Sequence, residues 1–411
     1  MFSFDGIRSP AVSGQFYPGS EKRLKKAVRS YMDQADVPAK PADARVCAVV
    51  APHAGYQFSG ETAGAAYAWL RDAPEPERIA VFAPSHRVPF HGVSVGAYTE
   101  LETPLGNLTV DTEVCDRLAE AHELILKRAD AQDYEHALEV QLPFLKYLFP
   151  EVPVVPVVCG DLTLADIRSV VPVFTQHLWS DESLWVISSD FTHFGHTFGY
   201  VPFSKDIKER LEELDAGAIE EICEGDLDGF LEYISSTGAT ICGRVPIAVL
   251  LAAVERNAAD LDIRKVAYTT SGAMTGDYEN CVSYAGIVVL RDGGEQNTQH
   301  APPEGEYRLT DDDRESLLRL AREAIRTEME SDRLHIPHDV ERSPALADEG
   351  AAFVTLHLDG QLRGCIGSLE AREPLYRNVI ENARNAAFRD SRFMPLAPEE
   401  LENVTIEISV L

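Results

Sequence analysis

Short apolar runs alternate with helical patterns along residues 7–292, and that alternation limits the possible folds more than any other feature of the chain. The runs are Cys47–Val50, Ile79–Phe82, Val152–Val158, Leu184–Ser188, Val266–Thr270 and Tyr284–Leu290. Helical patterns fall at Glu21–Asp33, Glu61–Leu70, Thr112–Glu123, Glu135–Phe149, Lys205–Gly217 and Arg244–Asn257. Strands without polar alternation suit a sheet buried on both faces. Strands separated by helices make parallel or mixed sheets. The expectation is an α/β fold with a mixed, mostly parallel sheet flanked by helices.

The ends of these runs carry the chemistry. Val46–Ala51 runs into Pro52 and His53, and Ile79–Ala83 runs into Pro84, Ser85 and His86. Leu184–Ser189 runs into Asp190, with His193 close behind. Ligands of open α/β sheets bind in the crevice beyond the carboxyl ends of the strands, so these residues form a candidate site. Cys242 precedes an apolar helix, where the helix N-terminus and Arg244 would favour its thiolate. Two neutral imidazoles and one anion reproduce the charge of a 2-His-1-carboxylate metal site. With a thiolate as the anion, zinc and copper are accepted as well as iron. His136 and Glu139 lie three apart on one face of a helical pattern and are candidate proton-transfer groups.

Other chemistries are excluded. Gly92–Gly96 matches the spacing of a serine nucleophile elbow, but its flanks alternate like a strand instead of turning into a helix. The phosphate loop, the dinucleotide-binding glycine motif and H-E-x-x-H are absent from the sequence. The 67 acidic and 37 basic residues give a formal net charge of -30, which argues against a nucleic-acid partner. No apolar stretch reaches the ~20 residues of a membrane helix, and the first residues do not read as a secretory signal. The expectation is a cytoplasmic protein without membrane contact. Seven cysteines without a C-x-x-C pair argue against a disulfide framework.

Residues 293–306 are polar, rich in Gly and Pro, and aperiodic, which reads as a linker. A second, α+β domain is expected over 307–411. It has a helix capped by Thr310 and Asp313, a hairpin turning at Asp359-Gly360, a helix at Pro374–Phe388 and an alternating strand at Val404–Val410. Cys365 in the hairpin is a candidate reactive thiol, with Arg363 to lower its pKa. A strand at the end of the sequence suggests a domain cut short, or a strand that needs a partner.

The segments Ala11–Pro18, Ala51–Tyr56, Thr103–Gly106, Glu135–Phe144, Ser189–Gly195 and Ile241–Arg244 together resemble the Memo family. The resemblance implies the fold of class III extradiol ring-cleaving dioxygenases. It implies His53, His86 and Cys242 as metal ligands and His193 as the acid/base, with Asp190 beside it. The metal it implies is divalent, Fe(II) first. Cysteine stands where the dioxygenases carry glutamate, which leaves the metal and the reaction open. Leu362–Gly367, Ala383–Phe388 and Asp390–Phe393 are similar to the AMMECR family, whose members continue past such a strand. The association of both families with a radical SAM protein implies a shared pathway with one. The function expected is redox or oxygen chemistry on a small molecule. A module that binds a peptide or partner without turnover, and a protein that handles iron or copper, are the alternatives.

Overall fold

A computed structural model describes residues 6–36, 44–257, 261–291, 311–330, 344–358, 361–368, 371, 373–390, 392–401 and 403–410. The chain divides into two compact units, Met1–Glu295 and Gln296–Leu411. The strands of the first are β1 (Ile7–Arg8), β2 (Arg45–Ala51), β3 (Arg78–Pro84), β4 (Val93–Val95), β5 (Glu100–Leu101), β6 (Leu108–Thr109), β7 (Ile125–Leu126), β8 (Val154–Cys159), β9 (Ser183–Ser188), β10 (His193–Gly195), β11 (Leu261–Thr270) and β12 (Asn280–Arg291). Those of the second are β13 (Ala352–Leu358), β14 (Gln361–Gly367) and β15 (Val404–Val410).

The main sheet runs β10-β12-β2-β9-β3-β8-β4-β7, with β11 on the other side of β12. Its middle, β2-β9-β3-β8, is parallel. β12 and β4 pair antiparallel against the two sides of that block. The apolar runs do what their composition requires: Val49, Val50, Val81, Phe82, Val157, Val186 and Ile187 are fully buried under helices. Register aligns the strand ends, since Ala51 pairs with Ser188 and Pro84 with Cys159. Two residues beyond these four ends stand His53, Asp190, His86 and Asp161. Across the sheet, the parallel block therefore presents one polar side chain per strand at its carboxyl edge. β12 continues past the end of β2 and pairs there with β10, which carries His193.

Two expectations change. Glu135–Phe149 is two short helices, His136–Glu139 and Leu142–Leu148, because Pro143 starts a new helix instead of continuing the first. Helices Leu164–Leu178 and Leu227–Thr237 are also present, both packed on helix Arg244–Arg256, although the apolar pattern gave neither. Gly92–Gly96 forms a strand as expected: it surrounds β4, where the Ser94 hydroxyl donates to the Arg128 carbonyl at 2.9 Å, so this serine is structural.

A buried ion pair ties the amino-terminal segment to the sheet edge. Arg8 is 2% exposed and donates to Glu139 Oε2 at 3.1 Å, to the Gln132 carbonyl and to the Glu135 carbonyl. Glu139 also accepts from the Ala11 and Val12 amides and the Tyr17 hydroxyl. Every oxygen of this carboxylate is engaged, so Glu139 is a strut and not a proton-transfer group.

In the second unit, β14-β13-β15 form an antiparallel sheet covered by helices Asp311–Glu330 and Leu375–Phe388. Val404 and Ile406 are buried and Thr405 and Glu407 exposed, as the alternation of β15 requires. Gly364 is required by packing: a Cβ there would lie 2.1 Å from the Ala386 carbonyl oxygen of the covering helix. Arg363 does not attend Cys365. It is spent on Glu400 and the Met394 carbonyl, and the Cys365 sulfur faces Thr355 Oγ1 at 3.2 Å. The expected linker, the Asp359-Gly360 turn and the Thr310 cap lie outside the described residues. Among the described residues, no helix is long and apolar enough to cross a membrane.

Removing one partner of a buried ion pair leaves the other charge uncompensated, at a cost of about 3–5 kcal/mol. We expect Glu139→Ala to lower the stability of the first unit by that order in urea unfolding. The double replacement Arg8→Met with Glu139→Leu should recover only part of the loss, because the Ala11 and Val12 amides and the Tyr17 hydroxyl stay without their acceptor.

Candidate metal centre

β2, β3 and the loop before helix Arg244–Arg256 bring His53, His86 and Cys242 together. One donor atom from each lies within 4.8 Å of the others. His53 Nε2 is 3.1 Å from Cys242 Sγ. The ring centroids of His53 and His86 are 5.1 Å apart, and His136 completes a cluster of three imidazoles, 5.5 Å from His53 and 4.6 Å from His86. Cys242 reaches the site because its loop packs directly on the end of β9. A Cβ on Gly243 would lie 2.3 Å from Ser189 Cβ, so only glycine lets the backbone approach this closely.

Hydrogen bonds fix the tautomers. The Ser188 hydroxyl gives its one hydrogen to the Ala137 carbonyl at 2.7 Å, so towards the His53 Nδ1, 2.9 Å away, it can only accept. His53 therefore carries its hydrogen on Nδ1, and the Nε2 lone pair faces Cys242. Gln141 Nε2 donates to the same hydroxyl and holds it in place. His86 Nδ1 donates to Glu135 Oε1 at 2.9 Å, which leaves its Nε2 bare as well. Glu135 is fully buried and also accepts from the His86 and Ala137 amides. Burial raises its pKa, but these hydrogen bonds and the His86 ring outweigh burial and hold the carboxyl below its usual value. Metal-bound histidines commonly donate their other nitrogen to a carboxylate, carbonyl or hydroxyl, which orients the ring; both rings here are held that way.

The Cys242 thiol differs from the expectation. Burial, and then the nearby Asp190 carboxylate, push its pKa well above 9.0. The Asp190 and Gly243 amides pull the other way without reversing this. The helix N-terminus and Arg244 do not make it a free thiolate. A cation at this spot would supply the missing stabilisation. Asp190 is not joined to the His193 ring either. Its Oδ1 accepts from the His53 and Ala54 amides, so it fixes the backbone of the β2 end. Burial raises its pKa against the opposing effect of His193. The His193 ring is oriented by carbonyls instead, with Nδ1 facing the Phe191 and Thr240 oxygens at 2.9 and 3.1 Å. It is close enough that its charge would depress the pKa of His53.

His136 Nδ1 is buried without a hydrogen-bond partner and lies 3.4 Å from Glu135 Oε1. With Glu135 and His86 it makes a second group of converging donors. The residue that sequence reasoning missed is Glu135. It was visible as the residue before His136, but periodicity cannot separate a buried hydrogen-bond acceptor from a solvated carboxylate.

Residues 8–288 match the family model of the Memo-like proteins. The chain belongs to the Memo family. A MEMO1 family protein of Thermococcus kodakarensis is 34% identical over 295 residues, covering 69% of this chain and 100% of that protein. One of Thermoplasma volcanium is 32% identical, covering 69% and 99%. The protein memo-1 homolog of Caenorhabditis elegans is 30% identical, covering 69% of this chain and 82% of that protein. Residues 318–411 match the AMMECR1 family model. The Memo match thus spans all three donors of the cluster and both hydrogen-bond partners that set its tautomers.

Burial drives the His136 pKa from 6.5 to about 4, against the opposing pull of Glu135. Between those values the unfolded chain binds a proton that the folded chain does not, so stability falls as pH falls through that window and levels off below it. Burial depresses His53 in the same direction. We expect the urea midpoint of the metal-free protein to fall as pH drops from about 6.5 to about 4. The His136→Gln variant should show a shallower decline.

Proposed function

We propose that this Memo-family protein holds one divalent metal ion on His53, His86 and Cys242 and uses it in redox or oxygen chemistry on a small molecule. The observation that carries the reading is the convergence of a sulfur and two histidines within 4.8 Å, with both ring lone pairs left bare by hydrogen bonds to Ser188 and Glu135. The donor set fits a metal: two neutral imidazoles and one thiol that needs a cation to ionise. Fe(II) is the ion we favour, and copper and zinc suit the same donors. A bound ion of this kind supplies Lewis-acid or one-electron chemistry to an oxygen donor.

The chain's own residues do the rest. Ser188, held by Gln141, and Glu135 keep the two imidazoles aimed at one point. Asp190 anchors the backbone of His53. His193, with Nδ1 committed to two carbonyls, exchanges a proton through Nε2. His136, kept neutral by burial, is a second base beside His86. A cleft of about 800 Å³ lined by both His86 and Cys242 gives a substrate access to the donors. Such a cleft favours turnover over metal storage, which needs no room for a second molecule.

Metal analysis of protein purified without oxygen tests the first half. We expect close to one ion per chain, and less than a tenth of that in the His53→Ala, Cys242→Ala double variant. Full metal in the double variant would end the proposal. For Glu135→Gln, the loss of an orienting partner is expected to weaken metal affinity about 10–100-fold. Oxygen uptake by the iron-loaded protein tests the second half: His193→Ala should slow it at least tenfold without loss of iron. Iron binding with no oxygen uptake on any substrate offered would favour metal handling.

A further inference from the structure

The cleft beside the metal donors has more character than an access channel. At about 800 Å³ it has the capacity of a site for a small organic molecule. Its walls are largely apolar, with Phe90, Ile167, Leu231, Ile234 and Val245 among the lining residues. Among the described residues, the lining contains two side chains charged at neutral pH, Asp161 and Arg244.

Arg244 stands two positions after Cys242 and opens helix Arg244–Arg256. Its guanidinium makes no ion pair or hydrogen bond with any described residue, and it is exposed. What distinguishes Arg244 is its place: an uncommitted guanidinium on the wall of the cleft, beside the metal donors. Arginines elsewhere in the first unit that are committed include Arg8 to Glu139, Arg78 to Asp111 and Arg168 to Asp228. Asp161 occupies the position beyond β8 that corresponds to His53, Asp190 and His86 beyond their strands. It places one negative charge on the same cleft.

We propose that the cleft binds a small molecule consisting of an apolar body and a single carboxylate, with the carboxylate paired to Arg244 and the body lying along the apolar walls. The planar guanidinium fork matches a carboxylate with two parallel hydrogen bonds. Asp161 disfavours a second negative charge, which selects a monoanion over a phosphate dianion. This inference deepens the metal-site reading and rests on it for the role of the ligand as substrate. The binding itself needs only the cleft and Arg244.

The test uses the full-length protein freed of metal with a chelator. The probe is 8-anilino-1-naphthalenesulfonate, an apolar fluorophore with one acid group. Its competitors are 4-phenylbutyrate, 4-phenylbutylamine and phenyl phosphate. We expect 4-phenylbutyrate to displace the probe at concentrations at least tenfold lower than the amine or the phosphate. Arg244→Gln should weaken 4-phenylbutyrate about tenfold, and Arg244→Lys should recover part of the loss. Ile234→Trp, which fills the cleft, should remove the displaceable fluorescence. Near-ultraviolet circular dichroism of each variant checks that the fold is kept. Equal competition by the amine, or unchanged 4-phenylbutyrate binding in Arg244→Gln, would overturn the proposal. Stronger competition by phenyl phosphate would assign the cleft to a phosphorylated ligand instead and overturn it as well. Because these measurements are made without metal, their failure leaves the metal proposal standing, and loss of metal binding in the His53→Ala, Cys242→Ala variant leaves this one standing.

Discussion

A single hydroxyl hydrogen decides the orientation of the site. Ser188 directs it to the Ala137 carbonyl, so its oxygen can only accept from His53. That choice puts the His53 proton on Nδ1 and leaves Nε2 bare, 3.1 Å from the Cys242 sulfur. Glu135 does the same for His86 through a buried carboxylate. If either partner were lost, a ring could turn or change tautomer, and a nitrogen carrying hydrogen would face the place where a lone pair is needed. The donors matter because their second nitrogens are already committed.

Topology delivers these groups without any compact sequence motif. Four parallel strands end level with one another, and each places a polar residue two positions past its end. β12 overruns β2 and carries β10 with it, which adds His193 to the same edge. The cysteine arrives from a helix that packs on β9, through a glycine that permits contact with Ser189. Rigidity at this edge has a further source in the Arg8–Glu139 pair, which braces the two turns on either side of Gln132 and Glu135. The region that holds His136 is short helix and turn, so it depends on that brace more than on its own backbone.

Much of this was legible in the chain. The strand runs around Val50, Val81 and Ile187 were read correctly because a fully buried parallel strand has nothing but apolar residues to show. His53, His86 and Cys242 were legible because they directly follow such runs or open an apolar helix. The helix Leu164–Leu178 was missed because Pro172 lies inside it and breaks the apolar reading, although Thr163 and Asp166 form a capping box at its start. Glu139 looked like a partner of His136 on a helical face, yet its mate is Arg8, more than a hundred residues away, and spacing carries no trace of that. The charge state of Cys242 was misjudged for the same reason: the helix end and Arg244 are local, and the burial and the Asp190 carboxylate that outweigh them are not.

X-ray absorption at the edge of the bound metal, on full-length protein purified without oxygen, tests the central claim most directly. The account requires one sulfur at about 2.3 Å together with at least two imidazole nitrogens, and loss of the sulfur shell in a Cys242→Ser variant. A shell of oxygen and nitrogen alone in the unmodified protein, or a sulfur signal that survives that substitution, would contradict it.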